Sequence, residues 1–199
     1  GELDDVMDEA YDLQEDEPDM IAVSVAAEGV DEEEMLCAVM EEMQAVIKEP
    51  LLLRSGNAAA LDKALRRYNG KAMINSVNGK RESMDAVFPL AKKYGGLIVA
   101  LTLDEDGIPP SAEGRLAIAK RILAEAERWG IDQKDLIFDP LAMAVSADST
   151  AARETLRAVS LIRRELGCHT SLGVSNVSFG LPSRELITGT FFAMALEAG

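Results

Sequence analysis

The chain carries one histidine and two cysteines among its 199 residues, a single basic residue in its first fifty, and no apolar run of bilayer length. Each scarcity removes a class of explanation. A membrane-crossing helix needs about 20 consecutive apolar residues, and the longest runs here, Gly95 to Leu103 and Leu141 to Val145, are far shorter. A secretory leader opens on basic residues followed by an apolar stretch, and Gly1-Glu2-Leu3-Asp4-Asp5 offers neither. Cys37 and Cys168 lie far apart, so they read as thiols of a reduced interior rather than a disulfide or zinc framework. The expected location is the cytoplasm. His169 stands alone, without clustered cysteines or carboxylates, and a lone histidine makes a poor metal site. No bound metal is expected.

Basic charge is scarce in one place only. Residues 1–50 hold 18 acidic residues against one basic, while the remaining 149 hold 17 acidic and 19 basic, for a net charge of −15. Such a surface repels phosphate backbones, so nucleic acid is not an expected partner. The acidic segment reads either as solvated helix faces or as a docking surface for a basic protein.

Several catalytic signatures are also incomplete. Gly173-Val174-Ser175-Asn176-Val177 approaches the nucleophile elbow, but its fifth residue is Val and His169 lies upstream in the same segment. Asn78-Gly79-Lys80 lacks the second glycine of a phosphate loop. Asp104-Glu105-Asp106-Gly107 lacks the further ligands of a calcium loop and reads as a solvated turn.

What is present is a regular alternation of periodicities. Helical spacing at Leu3, Val6, Met7, Ala10 and Tyr11 gives way to a strand-like run from Met20 to Val25. A methionine-rich helix stripe through Met35, Met40 and Met43 leads to the short strand Leu51-Leu52-Leu53 and a helix through Leu61 and Leu65. Strands are expected at Ala72–Ser76, Leu97–Leu103, Leu136–Phe138 and Thr170–Val174, with helices at Met84–Tyr94, from Ser111 to the stop at Gly130, at Ala151–Leu166 and from about Arg184 to Glu197. Six strands, nearly all apolar and each followed by a helix, imply a parallel α/β sheet buried on both faces.

Polar residues follow most of these strands: Ser24, Arg54, Asn75, Thr102 with Asp104, Asp139, and Ser175 with Asn176. In a (β/α) barrel all of them converge on one mouth, whereas a doubly wound sheet uses a single crevice. The expected fold is therefore a TIM-type barrel forming one domain over residues 1–199. Eight strands and about 250 residues are usual for that fold. The first and eighth strands are thus expected to be missing, with the chain truncated at both ends and two sheet edges open to self-association.

Four segments in order sharpen the reading: Met73-Ile74-Asn75-Ser76-Val77-Asn78-Gly79, Leu101 to Pro109, Phe138-Asp139-Pro140-Leu141, and Gly173 to Pro182. Together they resemble the pterin-binding methyltransferase family, which includes the methyltetrahydrofolate:corrinoid protein methyltransferases, the folate domain of cobalamin-dependent methionine synthase and, more distantly, dihydropteroate synthase. The resemblance covers essentially the whole chain and is strongest from Leu51 to Gly199. It implies an enzyme of one-carbon metabolism that binds methyltetrahydrofolate and passes its N5 methyl to a corrinoid (cobalamin) held by another protein or domain. By that resemblance Asn75, Asp139 and Ser24 contact the pterin, and Asn176 assists the departing N5. Arg184 lies near the pterin and corrinoid face. Carboxylates and amides suit a ring edge of N–H donors beside acceptors. Taken singly, Asn75, Asp139 and Asn176 could equally cap the helices that follow them.

The family pattern breaks at Arg54, which stands where relatives carry a pterin-gripping aspartate, and at Ala22, Ser24 and Ala26, where they carry an acidic residue, an asparagine and a glycine. A guanidinium has donors only. The expected function is methyl transfer; the alternative is a catalytically degenerate barrel serving as a binding or scaffold subunit for a corrinoid protein.

Overall fold

A computed structural model describes residues 2–199, with side chains described from Val6 onward. Helices and strands alternate as α1 (Glu2–Glu15), β1 (Ile21–Ser24), α2 (Glu32–Val46), β2 (Leu51–Arg54), α3 (Ala58–Arg67), β3 (Met73–Asn78), α4 (Arg81–Tyr94), β4 (Leu97–Leu101), α5 (Ala112–Arg128), β5 (Leu136–Asp139), α6 (Ala151–Leu166), β6 (His169–Thr170) and α7 (Arg184–Ala198). Short 3-10 turns cover Gln133–Asp135 and Val174–Ser178. The strands form a six-stranded sheet in the order β1-β2-β3-β4-β5-β6, and β1–β2, β2–β3 and β5–β6 pair in parallel. Spatial order that follows chain order is the barrel arrangement; a doubly wound sheet would reverse at a switch point. The fold is α/β, an incomplete TIM-type barrel with six of the usual eight strands. No described helix is long and apolar enough to cross a membrane.

The chain separates into two compact units. One runs up to Ser76 and takes in Asp85–Ile98; the other comprises Val77–Met84 and Val99–Gly199. In the first, Leu36, Met40, Leu51, Leu53, Leu61 and Ile74 are enclosed. Its helices start where the sequence supplies acceptors. The Asp31 carboxylate takes the N–H groups of Glu33 and Glu34, and the Asn57 side chain those of Ala59 and Ala60, satisfying donors that a helix start leaves orphaned. Arg66 and Arg67 close α3 at its negative end. Asp8, Asp12, Glu34 and Glu41 are exposed on α1 and α2.

In the second unit, α5 packs on α6 and α6 on α7. Helix α6 stops at Gly167, whose φ of 65° is left-handed and costs glycine nothing sterically. Helix α7 buries Phe191 and Ala195 but leaves Leu186 73% and Leu196 66% exposed, with Phe192 and Met194 also in solvent.

Two strand expectations are corrected. The run Thr170–Val174 is not a strand: β6 holds only His169–Thr170, Ser171 N–H adds one bond to Phe138 O, and the chain then turns. Side-chain bonds to the local backbone compete with a ladder, and Ser178 Oγ, which donates to Ser175 O at 3.1 Å, does so here. Strand β1 is not buried on both faces, because Ala22 and Ser24 are exposed while Ile21 and Val23 are buried. It is an outer strand of the sheet.

Candidate functional site

The strand-end residues fall into two groups, one in each unit. In the first unit the register aligns Ser24 with Arg54 and Arg54 with Asn75. Ser24 and Arg54 are exposed and Asn75 is half-buried. The backbone after Arg54 is pinned: Ser55 N–H donates to Asn75 O at 3.2 Å, and Asn57 N–H donates to Ser55 Oγ at 2.8 Å. Asn57 caps α3.

In the second unit the site is built around Asp139, at the end of β5. Thr102, fully buried, donates its N–H and its hydroxyl to Asp139 O at 3.1 and 3.2 Å, fixing the strand end. Leu141 N–H donates to Asp139 Oδ1 at 2.8 Å, closing an Asx turn, and Leu141 itself has a φ of 65°. No hydrogen bond reaches Asp139 Oδ2 from the described residues, so that oxygen is free to accept. Burial pushes the Asp139 carboxyl above its usual range, against the opposing pull of the Leu141 N–H and the Arg115 guanidinium.

Arg115 was not singled out by sequence reasoning, yet it organises this loop. It is only 2% exposed. Its Nε donates to Pro109 O at 2.9 Å, and its Nη1 reaches Pro140 O at 2.9 Å, Leu141 O at 3.1 Å and Thr155 Oγ1 at 2.9 Å. One cation thus holds the loop after β4, the loop after β5 and helix α6. Desolvation lowers the Arg115 pKa, and the carboxylates of Glu154, Asp139 and Asp148 oppose that shift. Glu154 accepts from Ala112 N–H at the start of α5 at 3.0 Å and from Arg157 at 2.8 Å, and Arg157 also pairs with Glu113. The legible signal was positional: Arg115 falls on the buried stripe Ala112, Leu116, Ala119 of α5, and Glu154 with Thr155 on that of α6.

Asn176 projects from the Val174–Ser178 turn and is exposed. Its N–H donates to Gly173 O at 3.1 Å, and its side-chain amide has no hydrogen-bond partner among the described residues. A β-carbon at Gly173 would come within 2.9 Å of Asn176 Nδ2, so the missing side chain at 173 makes room for that amide. Arg184 braces the same turn: Nε donates to Ser178 Oγ at 3.2 Å, Nη2 to Ser175 O at 3.0 Å, and the guanidinium lies 5.9 Å from the Phe179 ring centre. The Asp139 loop and the Asn176 turn are docked on each other. Ala142, Val177 and Phe191 form a small core, and Val145 N–H donates to Val177 O at 3.1 Å.

The Asp104 loop is a turn closed on itself. Asp104 and Gly107 exchange backbone bonds, and Arg121 lies 2.7 Å from the Asp104 carboxylate and holds its pKa low. His169 is exposed. Among the described residues no three His, Cys, Asp or Glu side chains gather as a metal site.

The family described as pterin binding enzyme matches the chain over residues 2–199. The chain is 31% identical over 163 residues to methionine synthase of Mycobacterium tuberculosis, covering 75% of this chain and 14% of that protein. It is 28% identical over 169 residues to methylcorrinoid:tetrahydrofolate methyltransferase of Eubacterium limosum, covering 83% of this chain and 62% of that protein. It therefore spans less than two thirds of either relative. Dihydropteroate synthase of Stenotrophomonas maltophilia superposes with a TM-score of 0.76 at 18% identity, over 99% of this chain and 79% of that one.

Two outcomes are expected. Arg115→Met strands the carbonyls of Pro109, Pro140 and Leu141 and the Thr155 hydroxyl, so urea denaturation should show a loss of about 3–5 kcal/mol. Asp139 keeps its proton to higher pH in the native state than in the unfolded chain. Wild type should therefore lose stability relative to Asp139→Asn as pH rises from about 4, the unfolded value, through the raised native value. Denaturation curves between those pH values check this, and a rising difference would show that the carboxylate is stabilised instead.

Proposed function

The chain belongs to the pterin-binding enzyme family, and from that premise we propose that it moves the N5 methyl of methyltetrahydrofolate to a corrinoid carried by a partner protein. The relatives named methionine synthase and methylcorrinoid:tetrahydrofolate methyltransferase support this direction. The observation that carries it is the docking, within one unit, of the loop that follows Asp139 on the turn that carries Asn176, each with a polar group left without a partner among the described residues.

The chemistry assigns each group a task. Asp139 Oδ2 accepts from the N–H donors of the pterin edge, which requires the ionised carboxylate. Affinity for the pterin should accordingly weaken as pH falls through the raised pKa of Asp139. The corrinoid, when bound, supplies a nucleophilic cobalt that takes the methyl group. As the N5–methyl bond breaks, its electron pair stays on N5, which becomes a better hydrogen-bond acceptor. Asn176, neutral at every working pH, donates its amide N–H to N5 and stabilises the charge that develops there. Arg184 keeps the Asn176 turn in place through Ser175 and Ser178.

Two further parts belong to the proposal. A cytoplasmic setting accords with the free, buried thiols of Cys37 and Cys168. Self-association accords with the outer strands β1 and β6 and with the exposed apolar residues of α7. Sedimentation equilibrium should then report a species larger than 21.4 kDa; a strictly monomeric protein at tens of micromolar would remove this part.

The enzyme reading is tested by titration with methyltetrahydrofolate followed by transfer to a reduced corrinoid. Asn176→Ala should lose about 100-fold in kcat, with folate affinity changed by no more than a few-fold. A second reading, a binding or scaffold subunit without catalysis, is favoured by the donor-only side chain of Arg54. Folate binding without transfer in the wild-type protein would select it, and no binding at millimolar folate would sink the enzyme.

A further inference from the structure

We propose that an aligned row across β1, β2 and β3 of the first unit forms a receptor for a carboxylate, centred on Arg54 and flanked by Ser24 and Asn75. The inference stands on these residues alone and does not depend on methyl transfer.

The register places the three residues at one level of β1, β2 and β3. Neighbouring strands in a sheet lie about 4.8 Å apart, and aligned positions send their side chains to the same face. Arg54 is therefore the middle of a short polar row rather than an isolated surface charge. The row sits on a rigid base: Val23, Leu53 and Ile74, one position earlier in each strand, are buried at 4%, 0% and 0% exposure. Ser55 N–H on Asn75 O and Asn57 N–H on Ser55 Oγ hold the backbone that follows.

The guanidinium is unoccupied. Arg54 has no ion pair or hydrogen-bonded partner for its side chain among the described residues. The other arginines of this unit are paired, Arg66 with Asp62 at 4.0 Å and Arg67 with Glu41 at 3.2 Å. Among the described residues, Arg54 is thus the arginine of this unit without an acidic partner.

Chemistry then selects the ligand. Arginine offers five donors in a planar fork and no acceptor, so whatever meets it must accept, and the fork matches a carboxylate in two parallel bonds. Ser24 and Asn75 each donate or accept, so they adapt to a second polar group beside the carboxylate. One guanidinium matches one negative charge. The acidic surroundings disfavour a dianion such as phosphate, and the N–H edge of a pterin would meet donors with donors.

The test uses the intact chain, observed by NMR through the Arg54 Nε–Hε group and the backbone amides of Ser24 and Asn75. Sodium benzoate is the probe, sodium chloride the ionic-strength control and inorganic phosphate the comparison anion. Benzoate should shift these signals saturably, more tightly than phosphate and without effect from chloride. Arg54→Lys, which keeps the charge and loses the fork, should weaken benzoate about tenfold, and Arg54→Gln should abolish the saturable shift. Arg54 is exposed, so both variants should keep the wild-type amide spectrum elsewhere, which verifies folding. Absence of a saturable benzoate shift in wild type, its survival in Arg54→Gln, or tighter binding of phosphate would each overturn the proposal.

Discussion

The second unit depends on one buried cation. Arg115 is taken out of water at a cost that only dense hydrogen bonding offsets, and its partners are mostly backbone carbonyls of loops that have no ladder of their own. In satisfying itself it fixes Pro109, Pro140 and Leu141. Leu141 in turn fixes Asp139, because the same residue that gives its carbonyl to Arg115 gives its N–H to the carboxylate. Glu154 keeps the arrangement near charge neutrality while tying the start of α5 to α6. The candidate acid is thus oriented by a chain of contacts that begins in the core.

The loops that result are polar in different ways. Asp139 retains one oxygen for a ligand in an environment that disfavours its charge. A donor ligand that restores the missing interactions gains more there than it would from a solvated carboxylate. Asn176 sits at the opposite extreme, exposed and unpartnered, on a turn whose rigidity comes from Ser178, Arg184 and Val177 rather than from its own bonds. Groups that must respond to changing charge on a substrate are best held from behind, so that the reactive face stays open.

Much of the architecture was legible because it rests on local periodicity. Every helix and five of the six strands lie where apolar spacing placed them, since a 3.6-residue stripe or a short run of Leu, Ile and Val is close to sufficient for each. Thr170–Val174 misled for a physical reason. Leu172 and Val174 look like strand residues, but the Ser178 hydroxyl that follows bonds the local backbone, and Leu172 and Val174 pack sideways against the Ala142–Val177–Phe191 core. Arg115 was overlooked because a charged residue on a helix is expected in water, although its place on the apolar stripe was visible.

Residue order alone determined the alternation of strands and helices, the placement of Ser24, Arg54, Asp139 and Asn176 at or beyond strand ends, and the resemblance of four segments to one family; Asn75 lies inside β3. Each of these is set by the nature and spacing of neighbours along the chain. Tertiary structure decided which polar groups remain available. Asp139 keeps one oxygen because Leu141 takes the other, Arg184 is engaged by the Asn176 turn, and the Arg54 side chain has no partner among the described residues. Availability of this kind depends on which atoms the folded chain brings within hydrogen-bonding distance, and apolar periodicity does not encode it.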